Sequence, residues 1–379
     1  MALVKPDIAR FAKIKVLGVG GGGGNAINTM AVEDLIRGVD FVAINTDSQA
    51  LLANQAEIKL QIGENLTRGL GVGGNPEIGA QSAEESREKI KELLMDTDMV
   101  FITAGMGGGT GTGASPIIAE VAKEQGALTI AVVTKPFLFE GTRRMVAAEE
   151  GITKLKGKVD ALIVIPNQKL LDSIDRKITL VDAFKTVDSV LAQGVQGISD
   201  IITLPGLINR DFADIKSIMK DAGTAFMGIG VGIGENRAQA AARNAISSPL
   251  LEISIHGARG ILFTVTGGPD LTMAEVEEAS KIITEHADAD ANIIFGANID
   301  QKMVDQLKVS VIATGFDESK LNLQRMVQRP MVKTFSTTPP TVVNPANLPD
   351  NGETTPEAPA DEMGEEYEVP AFLRLGRQH

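Results

Sequence analysis

The sequence has no cysteine and no tryptophan, and only one tyrosine. Without cysteine there can be no disulfide, no thiolate metal site and no cysteine nucleophile. Aromatic residues make up only 4%, too few for a stacking surface that tracks single-stranded nucleic acid. Positive charge is also short. Thirty-six Lys and Arg face 49 Asp and Glu, a net charge of −13, which argues against DNA, RNA or anionic lipid as a direct partner. The three histidines, His256, His286 and His379, are too far apart for a local metal motif. No apolar run approaches the ~20 residues that cross a bilayer, and the first residues lack the apolar core of a secretory signal. The expectation is a soluble, cytoplasmic protein with no direct membrane insertion. Its 379 residues, 43% of them hydrophobic, allow two domains with large cores.

Glycine is abundant, and it is concentrated. GGGTGTG, Gly107 to Gly113, offers almost nothing but backbone. It follows the apolar stretch Met99–Ala104 and precedes Ala114–Ala122, which reads as a helix with Pro116 in its first turn. A second run, Gly20–Gly24, lies between the strand-like Lys13–Val19 and a helix beginning at Asn25. Strand, glycine loop, helix is an arrangement that points free N–H groups and a helix dipole at an anion such as phosphate. Two such units suggest one nucleotide held from both sides. Gly18-x-Gly20-x-x-Gly23 also fits the dinucleotide fingerprint, but Asn45-Thr46-Asp47 is a poor match for its ribose-binding acid. A dehydrogenase is the alternative of a different class.

Apolar strands at 14–19, 39–44, 99–104, 128–133 and 161–165 alternate with helical segments such as 83–94, the pattern of a parallel sheet covered by helices. Ligands of such sheets sit beyond the carboxyl ends of the strands. Residues 179–203 read as one long helix. Strands at 224–233, 260–266, 291–297 and 308–315 then alternate with helices at 236–247 and 272–287, a smaller α+β domain. From Thr337 to Glu368 there are eight acidic residues and no Lys or Arg, the composition of a disordered segment. The expected units are 1–178, 179–206, 207–317, a linker over 318–366 and a partner-binding peptide over 367–379.

Two constellations bear on chemistry. Phe184 and Asp188 share a helix face, where a ring could stack on a base and a carboxylate could accept from the two donors on guanine's edge. Spacing alone favours a core ring and a solvated acid over that reading. Asp211 and Asp214 open a helix and face one way; they could position water and a cation near a phosphate, or act only as capping acids.

Together these segments resemble the tubulin/FtsZ family of GTPases, for which GGGTGTG is a specific signature. The resemblance runs from Lys13 to about Phe316 and again at the C-terminal peptide. It includes Ala43–Asp47, Arg68–Glu77, Phe139–Arg144 and Gln193–Asp200. It implies a Rossmann-like parallel-sheet GTPase domain, a long central helix, a smaller α+β domain and a disordered tail. It implies GTP or GDP as ligand. Gly21, Gly22, Gly107, Gly108, Gly109 and Thr110 would cradle its phosphates. Gly71 and Gly73 would sit by the terminal phosphate, Glu140 by the ribose, and Arg144 by the ribose or phosphate. Asn25, Asn167 and Asp188 would read guanine beneath Phe184. Mg would ride on the phosphates, with no site made of protein ligands alone. Asn209, Asp211 and Asp214 would act on the GTP of the next subunit in a head-to-tail filament. The resemblance further implies a bacterial cytokinetic ring at midcell, with Val369–Arg374 docking membrane tethers and ring regulators. A filament protein for plasmid segregation is the nearer alternative, and the terminal peptide argues against it.

Overall fold

The computed structural model describes residues 12–316, apart from 33–35, 37, 174–177, 204–210, 249–254, 256 and 302. Asn209, the segment 318–366 and the peptide with Val369–Arg374 therefore lie outside the described residues.

Ten strands form the order β3-β2-β1-β4-β5-β6-β7-β10-β8-β9. They are β1 Ile14–Val19, β2 Asp40–Asn45, β3 Ile58–Gln61, β4 Met99–Gly105, β5 Leu128–Lys135, β6 Ala161–Pro166, β7 Gly223–Ile233, β8 Gly260–Gly267, β9 Asn292–Ile299 and β10 Gln306–Thr314. From β3 to β7 every pairing is parallel. β10 runs antiparallel to both β7 and β8, and β9 is parallel to β8. Parallel strands need crossovers, and these bury both faces, which is why β4 and β5 are nearly continuous apolar runs.

The helices are α1 Gly20–Val32, α2 Ser48–Ala53, α3 Glu64–Thr67, α4 Pro76–Glu85, α5 Arg87–Leu93, α6 Thr110–Glu124, α7 Thr142–Lys156, α8 Asn167–Ser173, α9 Leu180–Thr203, α10 Phe212–Met219, α11 Arg237–Ile246 and α12 Met273–Thr284. One face of the parallel sheet packs with α1, α9 and α10, the other with α5, α6 and α7. A separate core lies between the C-terminal strands and α11 and α12. The long helix α9 runs between the two sheet regions. Its Ile198 and Ile201 share a core with Leu262, Ile294 and Ile312 as well as with β5 and β6.

Three expectations need correcting. The helix expected over 83–94 breaks at Ser86, whose buried hydroxyl accepts the Gly63 N–H at 3.2 Å. The edge strand β3 was not anticipated; Ile58-Lys59-Leu60-Gln61 does alternate apolar and polar, but four residues are too short a run to stand out. The glycine runs are also not simply loops ahead of helices. Gly20–Gly24 lies wholly inside α1, and Gly111 and Gly113 lie inside α6. α6 begins at Thr110, so Pro116 lies in its second turn rather than its first.

Packing explains these helical glycines. A Cβ on Gly113 would overlap the Pro76 carbonyl oxygen and come within 2.6 Å of the Ala80 nitrogen, where α6 crosses α4. A Cβ on Gly23 would overlap the Thr103 carbonyl oxygen, where α1 lies against β4. Close approach of backbones outweighs the roughly 1 kcal/mol that glycine costs within a helix. Gly21 and Gly108 differ: a Cβ there would meet nothing within 4 Å. They face open space.

Candidate functional site

That space is a cavity of about 630 Å³. Its walls come from the carboxyl ends of five parallel strands: Val19 in β1, Asn45 in β2, Gly105 in β4, Thr134 in β5 and Asn167 just past β6. The cavity thus stands where the alternating pattern places a ligand. Gly21 and Gly22 in the first turn of α1, and Gly108, Gly109 and Thr110 at the start of α6, line one side. The first turn of a helix has N–H groups with no intrahelical acceptor, and no side chain caps α6. Both helix dipoles present their positive ends to the cavity.

Of the residues expected at the site, thirteen line this cavity: Gly21, Gly22, Asn25, Gly71, Gly73, Gly108, Gly109, Thr110, Glu140, Arg144, Asn167, Phe184 and Asp188. Gly107 does not. It is buried behind the wall, and its N–H is donated to Thr112 Oγ1 at 2.8 Å, so it is not free for a ligand. Asp211 and Asp214 are not in the cavity wall either. Asp211 holds the N-cap position of α10, but its side chain makes no capping bond. Asp214, half-buried in the first turn, donates its N–H to the Asp211 carbonyl at 3.0 Å.

Another part of the wall is aromatic and amidic. Phe184 on α9 is 41% exposed. Its ring is held edge-on against buried Phe137 at 5.4 Å, and Phe137 in turn stacks on Phe139 at 5.0 Å. Asn167 is 4% exposed, and its Oδ1 has no partner among the described residues. A buried amide oxygen left in this way favours a ligand that brings a donor. One turn of α9 beyond Phe184, burial pushes the Asp188 carboxyl up to about 6. At the rim, Glu140 accepts from Arg144 at 2.6 Å and from the Phe137 N–H at 2.9 Å.

Sequence reasoning missed part of the wall. Asn45, Thr46 and Asp47 line the cavity at the end of β2. The carboxyl-end rule that located the glycine runs applies equally to them. Asp47 caps α2, accepting from the N–H groups of Gln49 at 2.9 Å and Ala50 at 3.1 Å. Among the described residues no three His, Cys, Asp or Glu side chains converge to hold a metal. No helix among them is long and apolar enough to cross a membrane.

Comparison with known proteins agrees with this geometry. Residues 13–175 match the GTPase domain model of the tubulin/FtsZ family, and residues 223–317 match the C-terminal domain model of the FtsZ family. The empty FtsZ dimer of M. jannaschii is 48% identical over 80% of this chain and 88% of its own, with a TM-score of 0.77. A tryptophan-to-tyrosine mutant of the same FtsZ is also 48% identical, over 81% of this chain and 92% of its own, with a TM-score of 0.78. The GTPγS-bound protofilament of CetZ2 from Haloferax volcanii shares the fold at 20% identity, covering 83% of this chain and 98% of its own, with a TM-score of 0.67. The chain belongs to the tubulin/FtsZ family of GTPases, enzymes that hydrolyse GTP.

Proposed function

We propose that the protein polymerises head to tail on GTP, hydrolyses it between subunits, and forms the filament of a cell-division ring. The observation that carries the reading is the composition of the 630 Å³ cavity. It joins two glycine-built helix N-termini, suited to phosphate, to an aromatic ring, a buried amide and a carboxylate, suited to guanine. In this reading the N–H groups of Gly21, Gly22, Gly108, Gly109 and Thr110 receive the phosphates, with Gly71 and Gly73 beside the terminal one. Glu140 and Arg144 meet the ribose side. Asn25, Asn167 and Asp188 read guanine, and Phe184 stacks on it. The cavity offers one strand-end carboxylate, Asp47, and the hydroxyls of Thr46 and Thr110. That donor set suits a Mg ion held mainly by the phosphates, since Mg favours oxygen ligands and keeps several waters. The ion would neutralise phosphate charge.

Assembly is supported by three large apolar side chains beside the cavity, Leu70, Leu138 and Phe139, which are 85%, 67% and 59% exposed. It is supported too by the acids of α10, which stand outside the cavity of their own chain. Asn209, Asp211 and Asp214 would reach the neighbour's GTP, and an open-ended heterologous contact permits this at every junction. The tail peptide Val369–Arg374 would dock tethers and regulators at midcell. The domain limits 1–178, 179–206, 207–317, 318–366 and 367–379 belong to the same reading.

The test is turnover per subunit against protein concentration, with and without Asp214→Ala. Turnover should be near zero below an assembly threshold and rise above it. The variant should bind GTP and join filaments, hydrolyse about 10²–10⁴-fold more slowly, and depress wild-type turnover in mixtures. Constant turnover at all concentrations, without inhibition in mixtures, would mean that each chain completes its own site.

A further inference from the structure

Thr46 stands just beyond β2 and is fully buried. Its Oγ1 lies 2.7 Å from Oγ1 of Thr110, the first residue of α6. Both residues line the cavity. Among the described residues, neither hydroxyl has another hydrogen-bond partner. Each hydroxyl carries one proton, so only one of the two can donate to the other. Either hydroxyl can be the donor, so on this contact alone the two directions are equivalent. An anionic oxygen beside Thr110 removes that equivalence. It accepts the Thr110 proton, and Thr110 Oγ1 can then only accept from Thr46.

We infer that Thr46 is a positioning residue for GTP: its hydroxyl donates to Thr110 and thereby directs the Thr110 proton at a phosphate oxygen. The inference rests on the proposed reading of Thr110 as a phosphate contact. The chain Thr46 to Thr110 to phosphate is a donor relay in which each bond polarises the next. The backbone of Thr46 is also held, so its hydroxyl is fixed in place. Its carbonyl accepts from Thr67 Oγ1 at 3.3 Å and from the Gly71 N–H at 3.4 Å, and its N–H is donated to Asn45 Oδ1 at 2.9 Å. Thr46 therefore ties α6 to the loop carrying Gly71 and Gly73, the two sides proposed to close on the phosphates.

A double-mutant cycle in GTP affinity tests this, measured on the full chain below its assembly threshold. Thr46→Val keeps the shape and removes the hydroxyl. It should weaken GTP binding by about 3- to 10-fold, the worth of a neutral hydrogen bond. Thr46→Ser should restore affinity to within about twofold, because the donor is retained. Thr110→Val should lose at least as much as Thr46→Val, and adding Thr46→Val to it should cost nothing further. A residue that only packs would give losses that add, and serine would rescue no better than valine. If Thr46→Val does not fold, Thr46→Ala takes its place in the cycle. Additive losses, or wild-type affinity in the variant lacking the Thr46 hydroxyl, overturn the relay while leaving the site intact. Wild-type affinity in Thr110→Val would overturn the phosphate reading itself.

Discussion

Replacing Asp188 by asparagine should change both the base preference of the protein and the pH dependence of its GTP affinity. The carboxyl is pushed up to about 6 by burial. At that value it is roughly 97% ionised at pH 7.5 and roughly 9% at pH 5. Guanine presents two donors, which favour the carboxylate and lower its pKa in the complex. Affinity is then complete above about pH 7 and falls as pH drops through 6, by about tenfold between pH 7.5 and 5. The phosphates of GTP titrate in the same window, so the informative quantity is the ratio of wild-type to Asp188→Asn affinity at each pH. That ratio should be largest at pH 7.5. There the loss of a charge-assisted bond, ~1.5–3 kcal/mol, corresponds to about 10- to 150-fold. It should shrink about tenfold by pH 5. The variant's amide pairs one acceptor with one donor. It should therefore prefer xanthosine triphosphate, which carries a carbonyl where guanine carries the amine. Displacement of a fluorescent guanine nucleotide measures both effects. A ratio that does not change with pH, or wild-type GTP affinity in the variant, would refute the assignment of Asp188 to the base.

Four other variants can be checked directly. Gly108→Ala should melt like wild type, because its Cβ meets open space, yet bind GTP more weakly; Gly113→Ala should lose about 1–3 kcal/mol or more in urea titrations, because its Cβ forces α6 off α4. Arg237, buried at the start of α11, pairs with Asp270 and Glu275 and holds the Glu275 carboxyl down at about 2; Arg237→Met should destabilise by about 2 kcal/mol or more, short of the 3–5 of a fully buried pair because Asp270 is partly exposed, and wild-type stability would contradict this. Burial pushes Asp200 on α9 up to about 7 against the pull of Lys308 and a hydrogen bond with Gln196; its folded value lies above its unfolded one, so its contribution to stability falls as pH rises from about 4 through 7, and Asp200→Asn should raise the urea midpoint at pH 8 but not at pH 4.

What could be read from the sequence depended on whether the deciding contact was local. β4 and β5 were legible because burial on both faces leaves a nearly continuous apolar run. α9 was legible because the residues it buries recur at helical spacing. The break at Ser86 was not, since its cause is the N–H of Gly63, 23 positions away. The residues at the end of β2 stood within the stretch Ala43–Asp47 that carries the resemblance, but were given no role there, and it took the strand order to set Thr46 against Thr110. The α10 acids were visible as a spaced pair, but nothing within one chain says what they face.

The glycines make the sharpest case. The two runs looked alike in sequence, as loops that offer backbone to an anion. In the fold each run divides its glycines between two tasks. Gly23 and Gly113 let backbones touch, which draws α1 against β4 and α6 against α4. Gly21 and Gly108 have no neighbour that a methyl group would disturb. Each of the latter stands a few residues before one of the former, Gly21 in the first turn of α1 and Gly108 just ahead of α6. The packing glycines set where those helix ends come to rest, and the open ones are what the cavity then meets. In the proposed reading, phosphate binding and close packing are thus successive demands on a single glycine run. Neither alone accounts for five glycines in the seven residues of GGGTGTG, because a packed helix could keep side chains on its open face and an anion loop could keep them on its buried one.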